Sequence, residues 1–385
     1  MEVELNPVGG MIMQEERKMI LKMIEDGKIS AEEGLQLLNA LKDDGQSGKS
    51  AAQDQSDSHK DPQTEISTKV DWENGDGGYR SRTRQSGFAS RFTEFIEDAV
   101  HKIKEFDLDF NFGSSVEIEH IFQHTGASVS QVDVNVENGS ILFRPWEEPD
   151  VRVECNVKVY KVNDGDEARR YFLNEVIFDV TDGRLRIKSP SKSMKVNSVV
   201  YVPRKDLEKI KLYAFNGRIS GETIEADNVE AQTVNGRIGF ETIRGRDVRL
   251  ETVNGTIATD SLEVDHCDAK TVNGTIDLRV ARGELDVETL NGTINYTLTE
   301  PVQSKAYFKT TTGSVSVELP EALKVEGNLK SSVGGLNCDL PGMTVIDEKK
   351  EFASKRMSFL ANKDAETPFY LEAESTTGSV NIRSR

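Results

Sequence analysis

Few side chains in this 385-residue chain stand at spacings that chemistry requires. His120 and His124 are four apart, which brings two imidazoles to one metal ion only on a helical face. Val116, Ile118 and Ile121 around them read as strand, so packing or surface histidines are expected. His266, Cys267 and Asp268 are three ligand types in a row, but successive strand residues point to opposite faces. Gly48-Lys49-Ser50 resembles the end of a phosphate-binding loop, yet Asp43 stands where its first glycine belongs and no strand precedes it. A Gly-x-Ser-x-Gly elbow, a Cys–His pair and the calcium-binding nonapeptide of some β-helices are all missing. Asp260, Asp265, Asp268, Lys270, Asp277 and Arg279 could line a polysaccharide-cleaving groove. No two of them have a catalytic spacing, and charges at solvent-facing strand positions also keep a sheet soluble. The expectation is a protein without catalytic, cofactor or metal residues.

The chain is organised instead by a repeated phrase. Asn216-Gly217, Asn235-Gly236, Asn254-Gly255, Asn273-Gly274 and Asn291-Gly292 follow one another at intervals of 19, 19, 19 and 18 residues, each inside a Val-Asn-Gly-Thr-Ile-like sequence. A short fixed period means a stack of one supersecondary unit. Asn-Gly tolerates φ > 0 and so predicts a tight turn. The flanking Val, Thr and Ile form strands. Val248 and Leu250, Leu262 and Val264, and Leu285 and Val287 alternate with charges, the period of a strand with one buried face. These features predict an all-β fold, a single-stranded β-solenoid of about 19 residues per coil with about 14 coils at about 4.8 Å each. The asparagines are expected to bond from coil to coil, and Thr233, Thr252, Thr271 and Thr289 to form a second ladder.

Residues 1–13 match no pattern and read as an unstructured leader. Residues 14–45 read as a helical hairpin: Met19, Ile20, Met23 and Ile24 form one apolar face, Gly27 stops the first helix, Ser30 and Glu33 make a capping box, and Leu35, Leu37, Leu38 and Leu41 line the second helix. Two such helices bury little alone, so docking onto a protein partner or self-association is expected. Residues 46–87 have a disordered linker's composition. Residues 88–106 predict an amphipathic helix with Phe88, Phe92, Phe95, Ala99, Ile103 and Phe106 on one face. It is read as a cap over the open end of the solenoid, the alternatives being an interfacial helix touching a membrane or a protein contact. The solenoid should occupy 107–385, with a helix near 166–175, a hairpin turn at Asp182-Gly183, decayed copies of the phrase at Thr312-Gly313, Gly334 and Thr377-Gly378, and a looping insertion between 341 and 370.

Net charge is −18, which disfavours nucleic acid as a partner. The sequence contains no membrane-length apolar run, and its acidic start lacks the pattern of a secretion signal, so a cytoplasmic location is expected. Peripheral contact with the inner face of the membrane fits too, and surface exposure stays open. Cys155, Cys267 and Cys338 are too few and scattered for a disulfide framework.

The stretch Glu15-Glu16-Arg17-Lys18-Met19-Ile20-Leu21-Lys22-Met23-Ile24-Glu25-Asp26-Gly27-Lys28-Ile29-Ser30-Ala31-Glu32-Glu33-Gly34 resembles the N-terminal domain of the bacterial YvlB/LiaX-like proteins. There too, a linker leads to a Thr-Val-Asn-Gly-rich domain classed with adhesins. The resemblance implies a Gram-positive, non-enzymatic protein tied to the cell-envelope stress response, with a hairpin resembling oligomerisation helices. The rival expectation is a secreted or surface β-helix that binds or cleaves carbohydrate.

Overall fold

A computed structural model describes residues 82–105, 114–126, 128–204, 207–351 and 354–385. The chain divides into two units, Met1–Asn74 and Gly75–Arg385, and every described residue belongs to the second. The expected leader, the hairpin at 14–45, most of the 46–87 linker and Phe106 lie outside the described residues. The amphipathic helix, α1, runs Arg82–Glu105, so it begins six residues earlier than the sequence predicts. A second helix, α2, spans Gly165–Glu175; the Asp164 side chain caps it by accepting from the Glu167 N–H at 2.8 Å.

Among the described residues, twenty-three strands join one continuous sheet. Most are arranged as rungs, each with one strand in a first wall and the next in a second wall. Asn228–Asn235 in the first wall, for example, is followed by Ile238–Arg244 in the second. Rungs stack in parallel: Asn216 pairs with Asn235, Asn235 with Asn254, Asn254 with Asn273 and Asn273 with Asn291. Alternate residues of both walls turn inward. Val248, Leu250, Ile257 and Leu262 are at most 3% exposed and share one core. Tyr296 of the second wall meets Phe308 and Phe369 of the first, with ring centroids 5.0 and 6.4 Å apart.

Rung order departs from chain order at both ends. Gln131–Asn138 lies between Arg184–Ser189 and Lys209–Asn216, and Ile141–Trp146 between Met194–Pro203 and Ile219–Glu225. At the other end the last strands of the chain, Thr367–Thr377 and Val380–Ser384, fill the gap between Ser304–Thr312/Val315–Leu319 and Leu323–Val333/Leu336–Asp339. At the C-terminal end the chain therefore lays down an outer rung first and returns to insert an inner one, whereas at the other end the inner rung comes first and the outer one after it. The described residues make ten rungs rather than the expected fourteen, because other segments leave the stack as antiparallel strands. Val151–Tyr160 and Ser115–His124 extend the second wall at one end; Ser354–Ala361 and Thr344–Glu351 extend the first wall at the other. The last pair occupies the expected insertion. Its outer strand is exposed along its length and carries Asp347-Glu348-Lys349-Lys350-Glu351, charges that discourage pairing with another chain.

Asn-Gly is not a hairpin turn here. A true one occurs at Asp182-Gly183, where both residues have positive φ (51° and 74°) and antiparallel strands meet. None of the phrase asparagines has positive φ. The glycine is demanded by space: a Cβ on Gly236, Gly255 or Gly292 would fall 1.8–1.9 Å from the carbonyl oxygen of the glycine one rung before. Glycines therefore form a column down the corner of the stack, leaving no room for any side chain.

Candidate interaction face

The predicted turn residues form two ladders at this corner. Asn216 Nδ2 donates to Asn138 Oδ1 at 3.0 Å, and Asn235, Asn254, Asn273 and Asn291 each donate to the asparagine before at 2.9–3.0 Å. Just inside, the hydroxyls of Thr233, Thr252, Thr271, Thr289 and Thr310 donate to the carbonyls of Gly217, Gly236, Gly255, Gly274 and Gly292. Ser375 and Ser331 do the same to Gly313 and Gly378, confirming that the final strands lie between earlier ones. The threonine, asparagine and glycine of each repeat are thus engaged in stacking.

The residue before each asparagine turns outward. Phe215, Val234, Val253 and Val272 make an apolar column along the outside of the first wall. Helix α1 lies on it through Phe92, Phe95 and Ala99, which are 9%, 8% and 2% exposed. This corrects the expected end cap: the helix covers a side of the stack. At the end near residues 115–124 the covering role falls to α2, whose buried Phe172 meets His120 and Phe122 at 5.6 and 5.8 Å. Phe88 is within α1, but its side chain and Phe106 are outside what is described. With Phe92 and Phe95 against the wall, a membrane contact through them would require the helix to leave its seat.

An ion pair holds α1 near its C-terminal end. Lys102 Nζ donates to Glu137 Oε1 at 2.6 Å and to the Tyr213 hydroxyl at 3.3 Å, and stands 4.7 Å from the Tyr213 ring centroid. Glu137 occupies the position before Asn138, so it heads the same column as Phe215. Burial pulls the Lys102 pKa down, but the bond and charge of Glu137 with Tyr213 outweigh it and hold the pKa above the ordinary lysine value.

Three residues before each asparagine or its equivalent stands a second outward column. Gln232, Glu251, Lys270, Glu288, Lys309, Glu374 and Lys330 are successive partners along it, so charge alternates from Glu251 onward. Gln232 donates to Glu251 at 2.6 Å, Lys270 is 3.7 Å from Glu288, and Lys330 is 2.7 Å from Glu374. Glu251 and Lys270 are 2% and 3% exposed. Burial raises the Glu251 pKa against the opposing pull of Gln232, Arg249 and Lys270. For Lys270 burial acts downward, but Glu288, Asp286, Asp268 and Glu251 together keep the pKa raised. Sequence reasoning missed this column; comparing residues at one fixed offset from each Asn-Gly would have revealed it.

The other candidates stay apart. Cys267 turns into the core while Asp268 faces outward, and His120 and His124 lie on one strand without a shared ligand site. Among the described residues no group of His, Cys, Asp and Glu could hold a metal ion. Burial pushes the Cys155 thiol up to about 12, so it is not a nucleophile at neutral pH. No described helix is long and apolar enough to cross a membrane.

A family model described as Toastrack DUF4097 matches residues 129–383, which contain the whole ladder. The chain belongs to the Toastrack DUF4097 family. A second model, a SHOCT-like domain, matches residues 15–46. This Toastrack protein is also 36% identical to the Bacillus subtilis protein YvlB over 375 residues, covering 96% of this chain and 99% of that one. A solved Bacteroides fragilis protein, provisionally classed as an adhesin, shares 11% identity over 69% of this chain and 97% of its own, with a TM-score of 0.40. A Parabacteroides distasonis protein, provisionally classed as lipid-binding, shares 11% over 69% and 96%, with a TM-score of 0.39.

Proposed function

We propose that this protein is a non-enzymatic interaction scaffold: a β-solenoid of about 19 residues per coil that presents its outer faces and carries a helical docking hairpin. The supporting observation is that the repeated residues are taken up by stacking. Asparagine amides, glycine spaces and threonine hydroxyls all meet neighbouring rungs, so the phrase is architecture and leaves no recurring group for catalysis. The SHOCT-like match over 15–46 supports a separate module joined to the rungs through α1. That module engages a membrane-associated protein or a second copy of itself, at the inner face of the membrane. Its place in the cell-envelope stress response rests on the likeness to YvlB/LiaX-like proteins.

Deletion of residues 14–45 tests the reading. The truncated chain should stay folded and monomeric while losing its partner in pull-down and light scattering; unchanged behaviour would refute the docking role. Cell fractionation separates the rival, since protein in the medium or wall would favour a surface adhesin or carbohydrate binder.

A further inference from the structure

We infer that the ladder is a latent self-modification site that opens from one end, at Asn291-Gly292. Asn-Gly is chemically labile because glycine lacks a Cβ to hinder attack by its main-chain nitrogen. That nitrogen loses its proton and bonds to the asparagine Cγ, and the side-chain nitrogen leaves as ammonia. Water then opens the resulting succinimide, leaving an aspartyl or isoaspartyl linkage. Neither an oxidant nor an enzyme is required.

The fold restrains every participant. The N–H of Gly217, Gly236, Gly255 and Gly274 donates to the main-chain oxygen of Asn235, Asn254, Asn273 and Asn291 at 2.9–3.0 Å. In Asn216, Asn235, Asn254 and Asn273 the side chain is held twice, donating to the asparagine before and accepting from the one after. Attack must break all three bonds, so it waits for local opening of a rung.

Asn291 is held less. The Gly292 N–H is held like the others, donating to the Thr312 main-chain oxygen at 2.8 Å, and Asn291 donates to Asn273 at 3.0 Å; but its partner on the following rung is Thr312, and no described side chain donates to its Oδ1. Conversion of Asn291 removes the amide that supplies Asn273, which then becomes the exposed end. Damage therefore travels in one direction, from 291 to 273 to 254. Each event adds a negative charge to a chain already at −18, and an isoaspartyl link adds a main-chain atom that breaks rung register.

The test is peptide mapping of the full-length protein kept at mildly alkaline pH, beside the same protein unfolded in urea. Asn291 should gain one mass unit before any other ladder asparagine, with Asn235 and Asn254 at least about tenfold slower in the folded than in the unfolded sample. In Asn291→Thr, with the fold checked by circular dichroism, Asn273 should become the first to convert. Equal folded and unfolded rates, conversion of Asn235 or Asn254 as early as Asn291, or no conversion of Asn291 while the urea sample reacts would each overturn the inference.

Discussion

Gly255 lies against Gly236 so closely that a Cβ on it would stand 1.8 Å from the Gly236 carbonyl oxygen. Backbone on both sides prevents relief by side-chain movement. Gly255→Ala should therefore cost about 3 kcal/mol or more, beyond a typical point substitution. At Gly239 the nearest atom is the tip of Arg237 at 3.5 Å, and Gly239→Ala should be within about 1 kcal/mol of wild type. Urea titration of both variants checks the contrast.

The hydroxyl and amide ladders should differ in worth. Thr252 is fully buried and donates to the Gly236 carbonyl at 3.2 Å. Thr252→Val leaves that oxygen without its donor where water cannot easily replace it, at a cost of about 1–3 kcal/mol. Asn254 is exposed, so water can take over its bonds to Asn235 and Asn273. Asn254→Ala should lie near the lower limit, about 1 kcal/mol. Equal losses in a denaturant titration would contradict the distinction.

Lys102 ties α1 to Glu137. Lys102→Met strands a nearly buried carboxylate and should cost about 1–3 kcal/mol, speeding amide exchange over residues 92–102 while the rungs stay protected. A raised lysine pKa means that the stabilisation is complete at neutral pH and is lost only as pH climbs through and beyond the ordinary lysine range. Release of α1 at neutral pH in the wild type would oppose this.

Glu251 should behave in the opposite sense. An acid with a raised folded-state pKa favours folding in its protonated form, so its contribution declines as pH rises above the ordinary glutamate value. Glu251→Gln, which keeps an acceptor for Gln232, should be at least as stable as wild type at pH 7, with the difference shrinking toward acid pH. Thermal melts of both proteins across that window give the answer.

The stack was legible because its period is strict: register, inward alternation and both ladders follow from aligning the asparagines. Rung order was not, since a period identifies units without saying which become neighbours. Thr377-Gly378 reads as a worn last copy, yet it sits between Gly313 and Gly334. Amphipathicity showed the buried face of α1 but not its seat. The clue was Thr233-Val234, adjacent strand residues both fully buried, which requires cover on both sides of the wall. The corner and the asparagine ladder at Asn-Gly were legible, but positive φ at the asparagine is not found, because a tight turn and a close approach favour the same pair.

Cross-linking tests most directly whether the phrase stacks rungs and whether the final one is inserted between earlier ones. With the native cysteines replaced by alanine, Thr312→Cys should form a disulfide with Thr377→Cys, its strand partner, and none with Val333→Cys, which lies one rung beyond. A disulfide between 312 and 333, with none between 312 and 377, would mean that the rungs follow chain order and would contradict the account.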